Sequence, residues 1–75
     1  MASLASLFNN IGSIYHKQGK YPQALDYFHK SLAINQEFGV LGRVGVANNL
    51  NNIGSVYDSQ GEYNRALDYY QQSLT

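Results

Sequence analysis

The 75-residue sequence contains no cysteine, no tryptophan and a single proline. Without cysteine these residues form neither disulfide bonds nor thiolate metal sites, which fits a reducing compartment, and we expect a cytoplasmic protein. Five acidic and five basic residues cancel, so charge gives no reason to expect nucleic acid or an anionic membrane as a partner. No apolar run approaches the roughly 18 residues of a membrane-spanning helix, and the start lacks the pattern of a signal peptide.

One segment of the chain occurs twice, 42 residues apart. Residues 10–15 read NIGSIY and residues 52–57 read NIGSVY, and the similarity continues through QGKYPQALDYF and QGEYNRALDYY. Between residues 4–33 and 46–75, 16 of 30 aligned pairs are identical. Self-similarity at a fixed period is characteristic of a repeat architecture.

Apolar residues at helical spacing predict four helices. In the first copy Leu4, Leu7, Phe8 and Ile11 recur at i, i+3, i+4 and i+7. The predicted helices cover residues 3–17, 22–37, 43–58 and 64–74. Helices joined by so few residues pack as antiparallel neighbours, so we expect an all-α fold, a fragment of an α-solenoid made of two antiparallel helical hairpins.

Gly12 lies inside the first predicted helix, where glycine costs about 1 kcal/mol relative to alanine. Such a glycine indicates that another helix approaches closely. Ala24 and Ser31 of the second predicted helix offer the small surface that would lie against it.

Residues 39–45 are the least regular part of the chain. Their three glycines indicate a loop, whereas Leu41 and Val44 favour an early start of the next helix. We predict a hinge here within a single domain covering residues 1–75, with repeat 1 at about 4–38 and repeat 2 at about 46–75. The alternative is one continuous helix across the hinge, with hairpins that close only between chains.

Each copy has a large residue, an aliphatic-glycine pair, a tyrosine, a Gly-x-Tyr turn, an alanine, an aromatic residue and a serine, in that order. These positions are Phe8, Ile11, Gly12, Tyr15, Gly19, Tyr21, Ala24, Phe28 and Ser31, then Leu50, Ile53, Gly54, Tyr57, Gly61, Tyr63, Ala66, Tyr70 and Ser73. This order resembles the tetratricopeptide repeat, in a long variant of period 42 instead of the usual 34 or so. The resemblance implies a non-catalytic scaffold that binds other proteins.

Repeat arrays of this kind coil into a superhelix, and the first helix of each hairpin lines its concave side. The predicted peptide-binding residues are therefore the polar ones of those helices: Asn10, Asn52, Asn9, Asn51, Ser13, Ser55, Ser6, Asn48 and Lys17. An asparagine side chain both donates and accepts hydrogen bonds, so it can pair with the backbone of a peptide. Asn10 and Asn52 precede the aliphatic-glycine pair, the position to which the resemblance assigns binding. The expected ligand is an extended peptide or a partner helix.

The simpler interpretation is that these asparagines only keep an exposed face soluble. Asparagine is a mediocre helix former, however, and four of them within residues 48–52 need an explanation. His16 and His29 lie on different predicted helices without a third convergent ligand, so we expect surface histidines and no metal, cofactor or enzymatic activity.

A second hypothesis is structural self-assembly. The sequence ends after a predicted fourth helix, as though cut within a longer array, and repeat proteins usually need three or more repeats. Apolar surface from Tyr69, Tyr70 and Leu74 would then be exposed. We predict a homo-oligomer, a dimer or larger, formed end to end through these residues or by swapping hairpins across the hinge.

Overall fold

The computed structural model describes residues 3–74 and contains four α-helices. They are α1 (Leu4–Lys17), α2 (Tyr21–Glu37), α3 (Arg43–Ser59) and α4 (Tyr63–Leu74), with a short 3₁₀ helix (Gly39–Gly42) between α2 and α3. The predicted all-α fold of two hairpins is confirmed, because α1 packs on α2 and α3 packs on α4. Every predicted helix boundary lies within one residue of the observed one, and residues 3–74 contain no strand.

Both hairpins turn in the same way. Gly19 and Gly61 adopt positive φ angles of 75° and 80°, a conformation that glycine adopts without steric strain. The next residue then donates its backbone N–H back to a tyrosine carbonyl, from Lys20 to Tyr15 and from Glu62 to Tyr57, both at 2.9 Å. Each of these carbonyls also accepts a 3.1 Å hydrogen bond, from the N–H of Gln18 or Gln60, so the turn closes the end of the helix.

The predicted close approach at Gly12 is confirmed. A Cβ atom at this position would lie 2.8 Å from the Phe28 ring and 3.2 Å from the Ala24 carbonyl oxygen. The expected contact with Ser31 is wrong, because the Ser31 hydroxyl donates a 2.8 Å hydrogen bond to the Ala5 carbonyl. A phenylalanine ring, and not a second small side chain, therefore fills the space beside the glycine.

The buried apolar cluster of the core joins the two hairpins. Its four buried apolar residues are Ala24 and Phe28 of α2 and Ile53 and Val56 of α3. Apolar burial is the main force that stabilises folding. The two repeats are therefore held together by the same residues that form the core.

The hinge is neither an open loop nor part of a continuous helix. Gly39 has a φ of 57°, which ends α2, and the 3₁₀ helix leads directly into α3. The alternative of fused second and third helices is therefore wrong.

Within residues 3–74, no helix has both the length and the apolar character needed to cross a membrane.

Candidate functional site

The predicted binding residues lie on α1 and α3 and differ in exposure. Those that are exposed are Ser6, Asn10, Lys17, Asn48 and Asn51, and those that are half-buried are Asn9, Ser13, Asn52 and Ser55. Lys17 is the one charged member of this set. We call this surface the asparagine face.

Two of these residues join the repeats directly. The Asn52 amide of α3 donates a 2.8 Å hydrogen bond to the Oδ1 atom of Asn9 on α1. Asn10 occupies the position equivalent to Asn52 but is exposed, and its side chain makes no hydrogen bond within residues 3–74. The two leading candidates are therefore not equivalent, since Asn52 has the preceding repeat beside it and Asn10 faces solvent.

A third asparagine, the buried Asn49, forms a hydrogen bond to Asn9 of this pair. Its side chain is 1% exposed, and its Nδ2 atom donates to Ser31 Oγ at 2.9 Å and to Asn9 Oδ1 at 3.3 Å. Its Oδ1 accepts a 2.7 Å hydrogen bond from Asn35 of α2. Asn49 therefore connects three helices, and Ser31 is anchored in turn to the Ala5 carbonyl at the start of α1.

These bonds fix the orientation of the Asn9 and Asn52 side chains. Asn9 Oδ1 accepts two hydrogen bonds, which leaves its Nδ2 atom as a free donor. Asn52 uses its Nδ2 atom as a donor, which leaves its Oδ1 as a free acceptor. Every buried side-chain nitrogen or oxygen in the described chain has a partner, so these two unpaired atoms of half-buried residues reach solvent.

A second polar contact joins the repeats at the other end of α1. His16 Nε2 and Ser59 Oγ lie 2.8 Å apart, and the half-buried imidazole packs edge-on against Tyr21 with ring centroids 5.8 Å apart. His29 is exposed on α2. Residues 3–74 contain no cluster of three groups suited to a metal ion.

The three predicted self-association residues differ in how exposed they are. Tyr69 and Tyr70 are half-buried, so part of each side chain remains accessible. The Tyr69 ring stacks on Tyr57 at 5.5 Å, and the Tyr70 ring covers Gly54, as Phe28 covers Gly12 in the first repeat. Leu74 is 87% exposed.

Two stacked helical hairpins with an inter-repeat core define a helical-repeat protein. A family model described as Tetratricopeptide repeat matches residues 3–75, and the chain belongs to this family. A search of curated proteins gives no significant match. Members of the family are protein-interaction scaffolds and are typically non-catalytic.

Proposed function

We propose that the chain binds an extended peptide along the asparagine face of α1 and α3. The observation that carries this proposal is the hydrogen-bonded Asn9–Asn52 pair, in which the Nδ2 atom of Asn9 is a free donor and the Oδ1 atom of Asn52 is a free acceptor. A residue in an extended peptide has one backbone N–H and one C=O to satisfy. The pair can therefore receive both groups of a single peptide residue.

This arrangement favours an extended ligand over a helical one. Inside an α-helix the backbone N–H and C=O groups already bond to each other, so a partner helix has no use for the free asparagine atoms. The asparagine face carries Lys17 as its only charged member, so recognition depends on hydrogen bonds and shape, with little dependence on salt. The expected cytoplasmic location stays a prediction.

The test is to select peptides from a random display library and to titrate them into the labelled protein. We expect binding to shift the side-chain amide NMR signals of Asn9 and Asn52. Asn52→Ala removes the acceptor and frees the Asn9 side chain, so we expect roughly 3- to 30-fold weaker binding from one or two lost hydrogen bonds.

Asn64→Ala is the matched control, because Asn64 is an exposed asparagine on α4, away from the asparagine face. It should leave the affinity unchanged. Selected peptides that leave both amide signals in place, or that bind Asn52→Ala as tightly as the original chain, would contradict the proposal.

The second candidate is self-association, and a comparison of the repeats supports it. Ile53 and Val56 are fully buried against α2, whereas their equivalents Ile11 and Ile14 are 38% and 57% exposed. On the opposite side, Leu32 packs against the core, whereas its equivalent Leu74 is 87% exposed. The exposed face of α1 in one copy could therefore pack on α4 of another copy, just as α3 packs on α2 within the chain. Such a contact is head-to-tail, because it joins different faces of the two copies.

Light scattering over a range of concentrations tests this second candidate. We expect the average mass to rise with concentration and Leu74→Asp to suppress the rise, because a carboxylate would be buried in the contact. Leu41→Asp is the control, since Leu41 is 90% exposed and belongs to the 3₁₀ helix, not to α1 or α4. A monomer at millimolar concentration would exclude the head-to-tail contact and also the predicted role of Tyr69, Tyr70 and Leu74.

A further inference from the structure

A small polar cavity lies beside the Asn9–Asn49 bond, between α1, α2 and the start of α3. Its volume is about 120 Å³. A cavity of about 150 Å³ holds a benzene molecule, so this one has room for a small planar group. Its eight lining residues are uncharged, and six have hydroxyl or amide side chains: Ser6, Asn9, Ser31, Asn35, Asn48 and Asn49.

Two residues that line the cavity have a hydrogen-bonding atom that is not already used, one an acceptor and the other a donor. Asn35 donates through Nδ2 to Asn49, and its Oδ1 atom accepts no hydrogen bond within residues 3–74. Asn9 has the opposite character, because its Oδ1 is occupied and its Nδ2 is free. Both residues are half-buried, and the absence of unpaired buried atoms in the described chain means that these two atoms reach solvent.

Gly45 contributes to the shape of the cavity. A Cβ atom at this position would lie 2.5 to 2.8 Å from the three terminal atoms of the Asn35 side chain. The Asn35 amide therefore lies directly against the backbone of α3, where its bond to Asn49 fixes which of its two ends is the free acceptor. A larger residue at position 45 would displace that amide.

We propose that this cavity accepts a carboxamide side chain, glutamine or asparagine, of the peptide bound on the asparagine face. The inference rests on the proposed function and adds a side-chain preference to it. A carboxamide supplies a donor for Asn35 Oδ1 and an acceptor for Asn9 Nδ2, whose two hydrogens can serve the peptide backbone and this side chain together.

Other side chains fit the cavity less well. A carboxylate has acceptors only and would lose solvation where no lining residue carries a positive charge. An apolar side chain would displace water from Asn35 and Asn9 without replacing its hydrogen bonds. The preference therefore follows from hydrogen bonding and not from size alone.

The experiment uses short capped alanine peptides whose central residue is glutamine, glutamate, leucine or alanine. Each is titrated into the whole chain while the asparagine side-chain amide signals are followed by NMR. One or two additional hydrogen bonds should make the glutamine peptide bind roughly 2- to 10-fold more tightly than the other three. The glutamine peptide should also shift the Asn35 signal, which the alanine peptide leaves in place.

A substitution that adds a positive charge tests whether the side-chain preference arises in this cavity. Asn48 is exposed and lines the cavity, so Asn48→Lys should shift the preference toward the glutamate peptide by roughly fivefold, the value of one partly exposed ion pair. Asn64→Lys is the control, because Asn64 is exposed on α4, outside the asparagine face, and does not line the cavity. It should leave the ratio of the two affinities unchanged.

The outcomes separate this inference from the proposed function. If all four peptides bind equally and shift Asn9 and Asn52, the face binds peptides and the cavity holds only water, so the inference fails alone. If none of the peptides shifts Asn9 or Asn52, both proposals fail. Equal effects of Asn48→Lys and Asn64→Lys would also overturn the cavity as the source of the preference.

Discussion

Replacing Asn49 with alanine should destabilise the chain by about 2–4 kcal/mol. The substitution removes three side-chain hydrogen bonds to residues on α1 and α2, and each buried group left without a partner costs about 1–3 kcal/mol. The cavity beside Asn49 admits water, which can hydrogen-bond to the groups left without a partner. The loss of stability should therefore be smaller than the sum of three such costs. A domain of this size is stable by only about 4–11 kcal/mol, so the variant should lose a large share of its stability.

Urea denaturation followed by circular dichroism measures this loss, and Asn51→Ala is the matched control. Both changes replace an asparagine in α3 with alanine, so both gain the same helix propensity. Asn51 is exposed, and its variant should stay within about 0.5 kcal/mol of the original. The difference between the two variants therefore isolates the hydrogen-bond network.

The variant Asn49→Asp distinguishes the loss of hydrogen bonds from the loss of side-chain volume. Aspartate has nearly the shape of asparagine but cannot donate to Ser31 and Asn9 when it is ionised. It should be at least as destabilising as alanine, because it places a carboxylate beside the Asn9 carbonyl oxygen. If Asn49→Asp unfolds at the original urea concentration, the network does not stabilise the fold.

The helices and their order could be predicted because their signals are local. Glycine at the two turns, proline near the start of α2 and apolar spacing of helical period all act over a few residues. The duplicated segment strengthened the prediction, since each copy predicts the other. The position of the core was less accessible, because burial of Ile53 depends on α2, which comes from the other repeat.

Asn49 shows where prediction from the sequence stopped. The unusual number of asparagines in α3 was visible, but nothing local distinguished the buried Asn49 from the exposed Asn48 and Asn51. A signal existed in the comparison of the repeats, because Asn49 occupies the position of Leu7. The burial of a polar side chain there is explained only by Asn35 and Ser31, which come from the preceding hairpin.

The same reasoning explains why Asn10 and Asn52 looked equivalent. They hold the same position in the repeated motif, and a sequence period carries no information about which neighbours a repeat has. Asn52 lies against Asn9 of the first repeat, whereas no described helix lies in front of Asn10. The face was predictable, but the pairing of Asn52 with Asn9 was not.

Gly42→Ala should be the most damaging small substitution in the segment between the repeats. Gly42 is buried, and a Cβ atom there would overlap the backbone carbonyl of Asn35. A backbone group at the end of a helix cannot rotate away as a side chain can, so α2 and α3 must separate. Overpacking costs about 1–3 kcal/mol and occasionally more, and we expect about 3 kcal/mol or more here, measured by urea denaturation.

The effect should extend beyond the segment itself, because Asn35 contacts both the 3₁₀ helix and α3. Its carbonyl lies against Gly42, and its side chain lies against Gly45 while donating to Asn49. Gly42→Ala should therefore shift the side-chain amide signals of Asn49 and Asn52 even in the folded protein. Gly39→Ala provides the control, because Gly39 has a positive φ but open space around it, which limits the loss to about 1–2 kcal/mol. Equal losses for the two variants would show that close packing of Asn35 against the start of α3 does not set the arrangement of the repeats.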